Sequence, residues 1–170
     1  MNNRAQMAEP SLEEVQQRLQ SALRTLARQD SYLLDHDLHE RTITHKLAEY
    51  LQPLFPDWNV DCEYNRDGHA PKRVRHAARQ PPREDEGSNV FPDIIIHQRG
   101  TNEHNILVLE AKKAHDLDQE VDERDRAKVE AFAIDLDYRC GALVVVYIEH
   151  EHQRYHATFY SHGNWTPLDA

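Results

Sequence analysis

A central, fully covered strand is predicted for Asn105-Ile106-Leu107-Val108-Leu109-Glu110-Ala111-Lys112. Its apolar residues follow one another without alternation, which is typical of a strand that is buried on both faces in the middle of a sheet. The far end of this strand is charged. Because side chains alternate along a strand, Glu110 and Lys112 project from one face, while Ala111 points to the other and leaves its carbonyl oxygen free to act as a ligand.

A second strand is predicted just before the first, over Val90-Phe91-Pro92-Asp93-Ile94-Ile95-Ile96-His97. The proline stands where the strand begins, and there its missing N–H does least damage to a sheet. Asp93 follows at once. The intervening residues are enough for a turn around Arg99-Gly100-Thr101-Asn102, so a hairpin would bring Asp93 near Glu110.

A helix upstream contributes a third carboxylate. Ile43, Leu47 and Leu51 recur at helical spacing, and a step of three residues back from Ile43 leads to Glu40 on the same stripe. A buried carboxylate needs a cation or a hydrogen-bond donor. The alternative is that Glu40 pairs with Arg41 or Lys46 at the helix surface.

These residues together resemble the signature of the PD-(D/E)xK nuclease superfamily, which shares the restriction-endonuclease-like fold. The motif residues are Pro92-Asp93, Glu110-Ala111-Lys112 and the helical Glu40, and the resemblance covers Leu34 to Tyr160. It implies that Asp93 and Glu110 bind Mg²⁺, with Mn²⁺ as a substitute, and that Glu40 and the Ala111 carbonyl complete the metal site. It also implies that Lys112 positions or activates the attacking water, so the expected catalytic residues are Glu40, Asp93, Glu110 and Lys112.

The chemistry of these residue types agrees with that expectation. Phosphodiester cleavage needs a hard cation to neutralise charge on phosphate oxygens, and Mg²⁺ prefers one or two carboxylates while it keeps several waters. An ammonium group beside such an ion can orient the nucleophilic water, which is the role that we expect for Lys112. Taken singly, each residue has a structural alternative: Asp93 could cap a turn, and Glu110 with Lys112 could be a solvated strand end.

The remaining elements predict an α/β fold. The order is helix, three strands, helix, strand, strand, which matches the αβββαβ core of the restriction-endonuclease-like fold, with a mixed central sheet flanked by helices. The further predicted segments are strands over Trp58–Asn65, Ala142–Glu149 and Arg154–Tyr160, the last at a sheet edge, and a helix over Asp116–Asp137. Lys128 on that helix is a candidate phosphate contact, or else an exposed helix charge.

An extra helix is predicted at the N-terminus. Ser11-Leu12-Glu13-Glu14 has the form of a capping box, and a narrow apolar stripe follows it. We therefore expect an N-terminal helical extension over residues 1–30 and a nuclease-like domain over 31–170. The helix could pack on the domain or on a second copy of the chain, and because many relatives of the resembled fold act as dimers we expect a homodimer.

Charge distribution bears on the substrate. The chain of 170 residues has a formal net charge of -10, which argues against a nucleic-acid partner because affinity for phosphates comes largely from basic side chains. A basic, flexible loop at about 66–89 offsets this acidity locally, and it could clamp a phosphate backbone or be a solvated insertion. The residues that we expect to bind nucleic acid are Lys128, Arg73, Arg75 and Arg79.

The sequence thus predicts a cytoplasmic, Mg²⁺-dependent endonuclease that acts on DNA, since no apolar run approaches membrane length. Two alternatives stay open: a non-catalytic nuclease-fold protein that serves as a metal-binding or interaction subunit of a larger complex, and a nuclease that acts on RNA. Separately, His150, His152 and His156 alternate near the last predicted strand. They could bind a metal, although polar residues at this spacing are also expected on a solvated strand.

Overall fold

A computed structural model describes residues 8–64, 91–117, 123–150 and 152–168, together with the backbone at 73–74 and 88–89. The described helices are α1 (Leu12–Gln29), α2 (Ser31–Asp35), α3 (Glu40–Leu51) and α4 (Glu123–Asp135), and a 3₁₀ turn (Gln52–Leu54) follows α3. The described strands are β1 (Asn59–Cys62), β2 (Arg73–Val74), β3 (Ser88–Asn89), β4 (Ile94–His97), β5 (Asn105–Ala114), β6 (Cys140–Tyr147), β7 (Tyr155–Ser161) and β8 (Asn164–Leu168).

A six-stranded mixed sheet, in the order β1-β4-β5-β6-β7-β8, forms the centre of the fold. Strands β4 and β5 form the predicted antiparallel hairpin, with Ile94 opposite Leu109. Strands β5 and β6 are parallel, and α4 connects them, as a parallel pair requires a crossover. The prediction of an α/β protein with a mixed sheet between helices is confirmed at this level.

The helices cover the two faces of β5. On one face Leu107 and Leu109 belong to the same buried cluster as Leu23 of α1 and Leu47 of α3. On the other face Val108 packs in a cluster with residues of α4. This double cover explains why the strand is apolar on successive residues.

The N-terminal helix α1 is part of the main core. The predicted capping box is present, because the Ser11 side chain accepts from the Glu14 N–H at 3.1 Å and the Glu14 carboxylate accepts from the Ser11 N–H at 2.7 Å. The buried stripe joins the same apolar cluster as α3 and β5, and it comprises Val15, Leu19, Ala22, Leu23 and Leu26.

Two sequence predictions about element positions were wrong. The predicted edge strand β7 is paired on both sides, because β8 continues the sheet beyond it. Strand β8 contains Pro167, and it is the last strand in the sheet order, where a missing N–H is tolerated. The helix that was predicted to begin at Asp116 is α4, and it begins at Glu123. Strand β5 runs on to Ala114 along β6, and residues 118–122 lie outside the described part.

Gly141 allows α4 to approach the sheet closely. A Cβ atom at this position of β6 would lie 2.3 Å from Cγ1 of the buried Val129. We expect Gly141→Ala to lower the free energy of unfolding by about 1–3 kcal/mol, because the core must shift to admit the methyl group. Urea titration of Gly141→Ala, Val129→Ala and the double variant checks this: the double variant should be less destabilised than the sum of the single changes. Strict additivity would contradict the close approach.

Candidate active site

The hairpin brings Asp93 and Glu110 together. Since Ile94 lies opposite Leu109, the register continued by one residue places Asp93 opposite Glu110. Both side chains belong to the α4 face, because they alternate with Ile94 and Leu109, which pack on the α3 face. The Asp93 Oδ2 atom accepts from the Ala111 N–H at 2.8 Å, and the Glu110 Oε1 atom accepts from the Asp93 N–H at 3.3 Å. Each carboxylate is therefore held by the opposite strand.

Burial makes this carboxylate pair unfavourable when both groups are ionised. Glu110 is 1% exposed, and its burial, with the neighbouring Asp93 charge, raises the pKa of its carboxyl group to about 7 against the opposing effect of Lys128. Burial also raises the pKa of Asp93, although the hydrogen bond from the Ala111 N–H opposes the rise. Two adjacent carboxylates, one buried and one half-buried, call for a cation when both are ionised.

Lys128 of α4 supplies one positive charge. Its Nζ atom donates to Glu110 Oε2 at 2.5 Å. The prediction that Lys128 faces the site is therefore consistent with the structure, but its partner is a site carboxylate, and its role as a phosphate contact stays a prediction. Helical spacing alone could not indicate this partner, because the pairing depends on how α4 packs on the sheet.

Lys112 lies on the same face as Glu110 and contacts α4. Its Nζ atom is 3.5 Å from Asp125 Oδ1, and 39% of its side chain is exposed. Burial lowers the pKa of Lys112, but the charges of Asp125, Glu40, Glu110 and Asp93 more than offset that effect, so the pKa lies above its ordinary value. A lysine with a raised pKa stays protonated at neutral pH and is a hydrogen-bond donor rather than a base.

Glu40 reaches the site from the other face of the sheet. It is the first residue of α3 and is half-buried, although it was predicted on the buried stripe of the helix. From the helix start its side chain extends towards the edge of β5. Its Oε2 atom accepts from the Lys113 N–H at 3.2 Å. The proposed surface partners pair elsewhere, Arg41 with Glu63 at 2.9 Å and Lys46 with Glu49 at 2.7 Å.

Glu40, at the start of α3, and Asp93, just before β4, cap an open backbone edge of β5. Strand β4 begins at Ile94, so β5 has no β4 partner beyond Leu109 in the described sheet. There the Ala111 and Lys113 N–H groups donate to Asp93 and Glu40 instead. The C=O and N–H of one strand residue point to the same side, so the Ala111 carbonyl, the predicted oxygen ligand, lies on this edge between the two capped N–H groups.

Side chains of the basic loop lie largely outside the described residues. Arg75 and Arg79 fall there entirely, and only the backbone of Arg73 is described, in β2, which lies beside α4. The contribution of these three arginines to nucleic-acid binding stays a prediction.

The donor set fits a hard cation only in part. Within the described ranges, no three or more carboxylate, imidazole or thiol side chains converge as a metal-ligand group. The pair Asp93 and Glu110 is nevertheless a sufficient protein contribution for Mg²⁺, which binds through one or two carboxylates and retains waters. Burial is the main cause of the raised pKa of both carboxyl groups because it disfavours their ionised forms, and a bound cation would stabilise those forms.

Comparison with known proteins does not assign the chain to a family. No family model matches it, and neither a curated protein nor a solved structure shows significant similarity. None of the helices in the described segments has both the length and the apolar character that crossing a bilayer requires. Any functional conclusion therefore depends on the geometry of the site itself.

The ion pair between Lys128 and Glu110 yields a test of the site's electrostatics. We expect Lys128→Gln to destabilise the metal-free protein by about 1–3 kcal/mol at pH 8, because it leaves a buried carboxylate without its charged donor. At pH 5 the loss should be smaller, since Glu110 is then protonated in both proteins. Thermal unfolding at the two pH values measures this difference, with Lys46→Gln at the exposed Glu49 pair as the control; an equal loss at both pH values would contradict the assignment.

Proposed function

We propose that this protein is a metal-dependent nuclease of the PD-(D/E)xK type that cleaves DNA internally. The observation that carries the proposal is the carboxylate pair Asp93 and Glu110, held across a hairpin by reciprocal backbone hydrogen bonds, with Lys112 on the same face. A buried and a half-buried acidic group beside a protonated lysine match the needs of phosphodiester hydrolysis.

Order and pairing of the core elements support the finer fold assignment. With the separate β2–β3 pair set aside, the elements from α3 onwards run α3, β1, β4, β5, α4, β6, which is an αβββαβ order, and β6 is parallel to β5 after the helical crossover. The carboxylates lie where β4 begins and β5 loses its partner strand, at a gap in the sheet that a substrate backbone could approach.

Asp93 and Glu110 would hold Mg²⁺ through their carboxylate oxygens, with the Ala111 carbonyl and Glu40 on the adjoining edge. When bound, the ion would supply neutralisation of charge on the phosphate oxygens. Lys128 would then have to leave Glu110 Oε2, and a freed ammonium group on α4 can contact a phosphate instead. Lys128 would thus pair with Glu110 in the absence of the ion and contact a phosphate in its presence.

Lys112 would orient the attacking water. Its side chain is 39% exposed, and its Nζ atom lies 3.5 Å from Asp125 Oδ1, so the lysine contacts α4 while part of its side chain stays accessible. The raised pKa favours donation of a hydrogen bond to the water oxygen over removal of its proton.

A second candidate function follows from the same ion pair. Because Lys128 already neutralises Glu110, the site could be a purely structural charge network in a protein that binds a partner without catalysis. The two functions differ in one respect: a structural network has no need of a divalent ion, whereas a nuclease centre is inactive without one.

The function is tested by incubating the purified protein with closed-circular and linear double-stranded DNA, single-stranded DNA and RNA, with Mg²⁺, Mn²⁺ or a chelator. We expect cleavage of closed-circular DNA that requires the ion and disappears in Asp93→Ala. The exposed Asp57→Ala is the matched control and should cleave normally. RNA cleavage alone would change the substrate class, and no cleavage of any form would favour the structural network.

A further inference from the structure

A basic cavity lies on the other side of the fold from α4. It is about 520 Å³ in volume and opens between the second half of α1, the segment before β7, and the end of β8. Ala157 and Leu168, which line it, belong to the apolar cluster on the α1 face of the sheet. We call it the α1–β7 cavity, and its lining includes Arg24, Arg28, His152, Arg154, Tyr155 and His156.

The charge of this cavity is opposite to that of the protein. The chain has a formal net charge of -10, yet three arginines and two histidines line the cavity, and no carboxylate side chain is among its lining residues in the described part. Arg154 is compensated by an ion pair with Asp35. Arg24 and Arg28 form no ion pair with a carboxylate of the described residues.

Arg24 and Arg28, both exposed, place two like charges side by side at the cavity. Arg24 and Arg28 are four residues apart on α1, so their side chains are neighbours on one helix face, and like charges at this spacing repel. An anion between the two guanidinium groups would convert this repulsion into attraction. Because the two uncompensated charges sum to about +2, a phosphate monoester of charge about −2 at neutral pH matches them better than a single carboxylate does.

The remaining lining residues suit an apolar or aromatic part of a small ligand. Ala27, Ala157, Pro167 and Leu168 present apolar surface, and Tyr155 presents an aromatic ring that also packs against the core. A cavity of several hundred cubic ångströms with an apolar lining and a few charged groups has the size and composition of a small-molecule site. Inorganic phosphate alone would leave most of this volume unfilled.

We propose that the α1–β7 cavity binds a small phosphate monoester with an aromatic or apolar body, of the size of a nucleoside monophosphate. Arg24 and Arg28 hold the phosphate, His152 and His156 provide further hydrogen-bond donors, and Tyr155 with Leu168 contacts the body. The site shares no residue with the candidate active site, so it does not rest on the proposed nuclease activity.

Isothermal titration calorimetry in the presence of a chelator tests this site. The probes are adenosine 5′-monophosphate, adenosine and inorganic phosphate. We expect the monophosphate to bind at least about tenfold more tightly than either of the other two, because it alone supplies both the charge and the body. Equal affinity for adenosine and its monophosphate, or for phosphate and the monophosphate, would overturn the proposal, and so would an absence of binding.

Variants assign the binding to the arginines. Arg24→Gln and Arg28→Gln should each weaken monophosphate binding by about tenfold or more. Arg18→Gln is the matched control, since it removes the same charge from the same helix outside the cavity. Unchanged affinity in both cavity variants would overturn the assignment.

A 5′-phosphorylated dinucleotide, compared with its unphosphorylated form, tells whether the cavity also accepts a phosphate monoester at the end of a nucleic acid. Nuclease activity assayed in parallel keeps the two proposals separate.

Discussion

Lys112→Ala is expected to abolish DNA cleavage while the protein retains its affinity for the divalent ion. The lysine contacts Asp125 and shares its face with Glu110, but as a cation it is no metal ligand, so its loss leaves the carboxylate oxygens in place. Removal of one positioned donor typically lowers turnover by on the order of 100- to 1,000-fold. Binding of the ion should change little, or strengthen slightly because a nearby positive charge is gone.

Two assays separate these effects. Cleavage is followed on closed-circular DNA, and Mn²⁺ binding is followed by calorimetry on the same preparations. Lys113→Gln is the matched control, because this neighbour points to the opposite face and its side chain pairs with Asp37 at 2.6 Å. Turnover in Lys112→Ala at the rate of the control would remove Lys112 from the mechanism, and loss of ion binding would make it a structural residue instead.

Glu110→Gln is expected to stabilise the metal-free protein at pH 8 while it abolishes stabilisation by Mg²⁺. Burial raises the pKa of Glu110 to about 7 from an ordinary value of 4.5, so the folded protein binds more protons than the unfolded chain between these values. The contribution of the Glu110 carboxyl group to the free energy of unfolding is fully present below pH 4.5 and is lost as the pH rises through about 7. A neutral glutamine avoids that loss, so the free energy of unfolding at pH 8 should rise by on the order of 2 kcal/mol. The weaker contact of glutamine with Lys128 partly offsets this gain.

Thermal unfolding at pH 5 and pH 8, with chelator or with Mg²⁺, measures both effects. The unfolding temperature of the wild-type protein should rise with Mg²⁺ at pH 8, because an ion that binds only the folded state stabilises it. Glu110→Gln should show a higher starting value and little response, and the exposed Glu103→Gln should behave as the wild type. A glutamine variant that is less stable than the wild type at pH 8 without metal would contradict the account of buried repulsion.

The hairpin and its carboxylates could be predicted because they depend on local patterns. The Ile- and Val-rich runs of β4 and β5 are bounded by turn residues, which is typical of buried strands, and the short connection between them favours their pairing. Once these strands pair, the positions of Asp93 and Glu110 follow from alternation alone. The same alternation places Lys112 beside Glu110.

Contacts between distant elements could not be predicted in this way. The pairing of Lys128 with Glu110 depends on how α4 sits on the sheet, which in turn depends on the close approach at Gly141. Glu40 appeared buried from its helical spacing, but a residue at the first position of a helix can extend past the helix end, and no periodicity reports that. Strand β8 was missed because its proline is compatible with a strand only at the outer position of a sheet, which is a tertiary property.

The α1–β7 cavity was beyond sequence reasoning for the same reason. Arg24 and Arg28 are visible as neighbours on a helix, and His152 and His156 as neighbours near a strand, but nothing in the sequence places the two pairs together. The histidine spacing noted near the last predicted strand therefore acquires a meaning only when α1 is packed across β7 and β8.

The central claim, that Asp93 and Glu110 share one divalent ion, is tested most directly by a crystal structure of the protein with Mn²⁺ and its anomalous scattering. The account predicts an anomalous peak about 2.0–2.3 Å from a carboxylate oxygen of both residues, with Lys128 Nζ withdrawn from Glu110. A peak at another place only, or a Lys128–Glu110 pair that persists with no ion at saturating Mn²⁺, would contradict it.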